Sequence, residues 1–262
     1  VLPEFQLNFA SAAAADSTRL AEDVRRAMDL GSIPSAALLR SLEDCYGVKV
    51  FWEQLTEAHD GDCSAACARG EFGSAILIDA SEAPWRRNFS LAHELFHLLT
   101  WNSMPVREAD SDPTWPERIE RLAENFAGSL LLPADSLSDR FTARAQDGKI
   151  TYGELVRMAR DFGVSTQALL IRLRDLRHIK ATDVARLLKD ETFRRVDEAS
   201  WVDRNVPAVP FSARYVELAY AAFQRGIIGV SMLAKYLEKP IADLELPETK
   251  VEDAAEAALT VV

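Results

Sequence analysis

Residues His93-Glu94-Leu95-Phe96-His97 set two imidazoles and a carboxylate inside a strongly apolar stretch of the chain. Leu91, Ala92, Leu95, Phe96, Leu98 and Leu99 surround them, so a helix built here is apolar nearly all round and has to be buried. Buried polar groups need partners. The spacing supplies one candidate. On an α-helix, residues i and i+4 share a face with their Cβ atoms about 5–6 Å apart. Two imidazoles so placed can converge on one ion, with metal–nitrogen bonds of about 2.0–2.1 Å. Glu94, beside the first imidazole, is then positioned as a general base. The bland alternative is an amphipathic helix with two satisfied histidines. A metal would satisfy all three polar groups at once.

A site of this kind wants a third ligand on a following element and one position open to water. Residues 116–133 carry Ile119, Ala123, Phe126, Ala127, Leu130 and Leu131 at helical spacing, and Pro133 stops the run. Glu120 and Glu124 share a face of that helix. One can ligate the ion, and the other can accept a hydrogen bond from the free nitrogen of a ligating imidazole. Taken alone, the segment would pass for a solvated face of glutamates and arginines.

Together these stretches resemble the ImmA/IrrE family of bacterial metallopeptidases. The resemblance rests on Arg86-Arg87-Asn88-Phe89-Ser90-Leu91-Ala92-His93-Glu94-Leu95-Phe96-His97, then Glu120-Arg121-Leu122-Ala123-Glu124-Asn125-Phe126-Ala127, then Leu130-Leu131-Leu132-Pro133. It implies a gluzincin-like site in which His93, His97 and Glu120 hold Zn2+, or another divalent ion such as Mn2+, and Glu94 is catalytic. Glu124 stands where the family usually has Asn, and a role behind the ligands is expected of it. The resemblance also implies a protein substrate, a helix-turn-helix repressor or an antitoxin, whose cleavage switches on stress, phage or mobile-element genes. In longer relatives a phage-repressor-type helix-turn-helix domain precedes the peptidase. The start Val1-Leu2-Pro3-Glu4-Phe5 is compatible with such a junction.

Composition narrows the class further. A net charge of −11 opposes non-specific binding of nucleic acid by the surface as a whole. No apolar run reaches the roughly 18–20 residues that span a membrane. Three cysteines do not make a disulfide framework, and they fit a reducing cytoplasm. Cys63 and Cys67 read as small residues in a turn or short helix, with a redox pair or a thiolate capping the metal as the sharper alternative. His59 and His178 read as surface residues.

The expected fold class is α+β: a mainly helical, zincin-like domain with a small sheet, followed by helix-turn-helix-like helical segments. Helices are expected over 12–30 and 34–45, and strands over 48–52 and 74–79. Residues 54–72 read as irregular. Ala75, Ile76, Leu77 and Ile78, just ahead of the histidine helix, are expected to line the cleft as the strand with which an extended substrate pairs. Residues 150–173 read as a helix-turn-helix, with Gly163 ending one helix and Ser165 capping the next. From Lys149 to Lys180 seven basic residues stand against three acidic ones, so this segment is a candidate DNA reader. The domains are expected at 1–145, 146–190 and 191–262. The main rival to a peptidase is a DNA-binding regulator or sensor with a non-catalytic metal site. An intact Glu94 favours the enzyme.

Overall fold

Three strands follow one another in the chain but not in space. The computed structural model describes residues 2–55, 64–103, 115–200 and 211–246. Strands β1 (Lys49–Glu53), β2 (Ala65–Gly70) and β3 (Gly73–Asp79) form a sheet in the order β1-β3-β2. β2 and β3 are an antiparallel hairpin closed at Gly70↔Gly73, and β1 runs parallel to β3 from Lys49↔Ala75 to Glu53↔Asp79. Gly73, just past the turn, sits at φ +93, a left-handed value that glycine adopts cheaply. β2 was read from the sequence as irregular.

The helices supply the core. α4 (Trp115–Leu131) packs on both α1 (Ala14–Ala27) and α3 (Pro84–Leu99), with α2 (Pro34–Arg40) alongside. Pro84 opens α3 at its first turn, where a missing N–H costs nothing. Leu95, Phe96, Phe126, Ala127, Leu130 and Leu131 are fully buried. The Phe96 and Phe126 rings lie 5.5 Å apart, and Phe9 meets Phe96 edge-on at 6.2 Å. Residues 2–10 form no strand; Phe5 donates its N–H to Leu99 O and closes the end of α3. The expected helix over 34–45 continues past α2 as a π-helical turn, Ser41–Cys45.

α5 (Ala134–Arg144), α6 (Tyr152–Asp161), α7 (Thr166–Asp175), α8 (Ala181–Leu187) and α9 (Glu191–Ala199) follow. Packing does not break after 145 or after 190, where boundaries were expected. Leu155, Leu169, Leu173, Val184, Leu187 and Phe193 belong to the same core as Leu95 and Phe126. Contacts instead divide the chain after Ser212.

The second unit holds α10 (Ala213–Gln224) and α11 (Val230–Tyr236) around a small core of Ala219, Leu233, Leu237 and Leu244. Its backbone repeats the α7–α8 corner 49 positions later. Arg177 and Gly226 both take left-handed φ, at 63 and 70. His178 N bonds to Leu173 O as Ile227 N does to Ala222 O, and a seven-residue helix follows each time. Both corners are Schellman stops, as are the helix ends at Asp29, Gly163 and Glu238. Among the described residues no helix is long and apolar enough to cross a membrane.

The α6–α7 turn is pinned to the body of the first unit. Asn88 Nδ2 donates to Gly163 O at 2.9 Å, and Ser35 Oγ donates to Phe162 O at 2.7 Å. Gly163 has φ +64, and a Cβ there would lie 2.8 Å from both Asn88 Nδ2 and Ser35 Oγ. A left-handed alanine costs about 1–2 kcal/mol before any clash. Gly163→Ala is therefore expected to lower unfolding free energy by at least that amount, read from urea melts, and Ser35→Ala in the same background should recover part of it.

Candidate metal centre

Two helices crossing in the core bring three donor atoms to one point. His93 and His97 lie four residues apart on α3, with ring centroids 5.0 Å apart and their Nε2 atoms 3.1 Å apart. Glu120, one turn into α4, reaches across. Its Oε2 is 3.0 Å from His93 Nε2, and its Oε1 is 3.6 Å from His97 Nε2. These ligand atoms all lie within 4.8 Å of one another. Donors placed tetrahedrally about 2.0–2.1 Å from one ion stand about 3.3 Å apart. The observed spacings of 3.0, 3.1 and 3.6 Å bracket that value, so the donor set fits a single small divalent cation.

The electrostatics point the same way. Hydrogen bonds from His93 and then His97 hold the Glu120 carboxyl far below the usual carboxylate range, against its partial burial. Burial alone would lower the His93 pKa. The hydrogen bond to Glu120, with the charges of Glu120, Glu94 and Glu124, outweighs it and leaves the value raised. Negative potential concentrated on two imidazoles is what a cation site needs.

The peptidase M78 family model, described as an IrrE N-terminal-like domain, matches residues 43–174, half of the chain. The chain belongs to this family. None of the curated proteins compared with it matches. ImmA/IrrE-type M78 proteins are metal-dependent peptidases, and the match runs from the end of the π-helical turn through β1–β3 and α3 to the last turn of α7. The α6–α7 pair thus lies inside the peptidase domain.

Glu124 is exposed on α4 and lines the cavity beside the donors. Among the described residues neither imidazole donates to it, and it acts on His93 through its charge. Its expected hydrogen bond to a ligand is not formed. Glu94 is buried, with 8% of its surface exposed. Cys67 on β2 is pushed up by burial and then by the charge of Glu94, so it stays a neutral thiol.

A cavity of 1320 Å³ opens over the donors, lined by β2, α3, α4 and α7. The expected strand, Ala75, Ile76, Leu77 and Ile78, does not line it. β3 is the central strand with both edges paired, to β1 and β2, so it has no edge to offer a substrate. Ser64, Ala65, Ala66 and Cys67 line the cavity instead, from β2 at the edge of the sheet. Sequence reading also missed the α7 residues Gln167, Ala168, Ile171 and Arg172 in the wall. The period-four recurrence of Ala168 and Arg172 could have marked one face, but not what that face met.

The basic residues of 149–180 are largely engaged within the chain. Arg160 pairs with Asp197, Arg174 with Asp175 and Arg157 with Glu154. Arg172 is 9% exposed and donates to Leu132 O just beyond α4, as a cap. His178 is half-buried, bonds to Ser138 Oγ at 2.7 Å and stacks on Phe141. It takes no part in the centre. His59 and Cys63 lie outside the described residues.

Metal that binds only the folded chain raises its stability by about 2.7 kcal/mol at a concentration of 100 Kd. Zinc should therefore raise the Tm of the apo protein, with one ion per chain by elemental analysis. Glu120→Ala should lose both the shift and the stoichiometry.

Proposed function

We infer that the chain is a zinc-dependent, site-specific endopeptidase. The observation that carries this reading is the convergence of His93, His97 and Glu120 beneath an open cavity, with Glu94 on the same helix turn. His93, His97 and Glu120 would hold the ion; two imidazoles and a carboxylate suit Zn2+. When bound, the ion supplies Lewis acidity toward the peptide carbonyl and the attacking water.

The chain's own residues do the rest. Glu94 takes a proton from the attacking water and returns it to the leaving amine. The shell of Leu91, Leu95 and Phe96 holds the histidine helix rigid, so the donors keep their spacing. An extended peptide would lie along the edge of β2, pairing its backbone with the strand and presenting a carbonyl to the centre.

The substrate class comes from the family: a helix-turn-helix repressor or an antitoxin, cut to release stress, phage or mobile-element genes. Glu94→Gln tests the mechanism. It should keep one metal per chain and lose cleavage of a co-encoded repressor by about 10²–10⁴-fold, the usual contribution of a general base. Undiminished cleavage by that variant would overturn the assignment of Glu94.

A further inference from the structure

The face of α3 that carries the metal-binding histidines is longer than the histidine pair. Trp85, Phe89, His93 and His97 recur in steps of four. Each step rises about 6 Å along the helix and keeps the side chains adjacent. Two aromatic rings therefore continue the cleft floor beyond His93, and both line the same cavity as the donors.

Opposite them stands α7. Val164, Ala168 and Ile171 line that cavity from its first turns. Ile171 is half-buried and, among the described residues, does not join the core, although it is large and apolar. Apolar surface left facing a cavity is a gain waiting for a ligand that covers it.

This wall is fixed relative to its floor. Asn88, adjacent to Phe89, donates to Gly163 O at 2.9 Å and ties the start of α7 to α3. The Arg160 guanidinium lies 5.9 Å from the Trp85 ring centroid. Its Nη2 also donates to Ser200 Oγ and Asp197 O, so the ring is held from the outside by an anchored cation. Preorganised walls make a selective pocket, because binding orders nothing new.

The geometry points to an apolar subsite in the cleft, floored by Trp85 and Phe89 and walled by Val164, Ala168 and Ile171, which takes a bulky aliphatic or aromatic side chain of the substrate next to the bond to be cut. The second helix of the α6–α7 pair then reads a peptide. This rests on the peptidase reading above and adds the identity of a recognised residue.

The test uses the full zinc-loaded chain and a mixture of unstructured peptides, with cut sites read by mass spectrometry. Cuts should flank Leu, Ile, Met or Phe, and replacing that residue by Ala should lower kcat/KM about 10–200-fold. Ile171→Asp, a change at a half-buried cleft position, should flatten that preference or turn it toward Lys and Arg while metal content and Tm stay near wild type. Should that variant lose its fold, Ile171→Ala serves with the same readout. In parallel, the Glu94→Gln chain is titrated with two hexapeptides, one carrying Leu and one Ala at the chosen position, and followed by tryptophan fluorescence; the Leu peptide should bind at least tenfold tighter. Cleavage with no apolar preference, or a preference untouched by both Ile171 variants, overturns the subsite and leaves the peptidase standing. A metal-loaded wild type that cuts no peptide overturns the peptidase reading, and the titration then decides the subsite alone: equal affinities refute it.

Discussion

The crossing of α3 over α4 is the constraint on which the site depends. Neither helix carries a complete donor set, and Glu120 reaches His93 at 3.0 Å only because the Phe96 and Phe126 rings fix how the helices meet. Phe96 neighbours His97, and Phe126 lies six residues beyond Glu120, so the apolar contact and the polar cluster are two faces of one crossing. A core change that slid α4 by a single turn would move Glu120 about 5.4 Å and dismantle the cluster without touching a polar atom. Asn125 adds a second lock, since its Oδ1 accepts from both Ser17 Oγ and Thr18 Oγ1 on α1 at 2.9 Å.

That crossing also decides the electrostatics. Glu94, Glu120 and Glu124 gather around two partly buried imidazoles, an arrangement costly for a protein that merely has to fold. The raised His93 and depressed Glu120 pKa values express how strongly these groups seek positive charge. Glu94 is set apart from the donors, because it lies buried one residue along from His93 and acts on Cys67 of β2 through its charge. The donor cluster and the buried glutamate thus rest on two packing contacts, α3 with α4 and α3 with β2.

The helices were legible because period 3.6 and a local motif coincide in them. His93 and His97 needed only helical spacing, whereas that spacing left Glu120 and Glu124 equivalent, and it was the family resemblance that singled out Glu120. β2 was invisible for a physical reason. Ala65-Ala66-Cys67-Ala68-Arg69-Gly70 contains no β-branched or aromatic residue, and its strand form comes from pairing with β3 and cover from α3. Missing it displaced the expected cleft-lining strand onto Ala75–Ile78, whose β-rich sequence marks a central strand as well as an edge. The α6–α7 pair was recognisable as two helices joined at Gly163, with Ser165 accepting from Ala168 N as a cap. What a tally of arginines leaves open is direction: Arg172 turns inward to Leu132 O, and Ile171 meets the cavity.

The repeated corner makes the same point about what local chemistry decides. Arg177 and Gly226 end their helices with the same left-handed residue and the same pair of backbone bonds, and each is followed by a seven-residue helix. Local signals suffice for that shape. They do not decide what the shape is for. Leu169 is fully buried in the first corner, and its counterpart Leu218 is 52% exposed; Leu187 and Tyr236 differ in the same sense. The same helical corner is therefore compatible with a buried position in one place and an apolar exposed face in another. The side chains that vary between the copies, and the surfaces they meet, carry the function that the outline leaves unspecified.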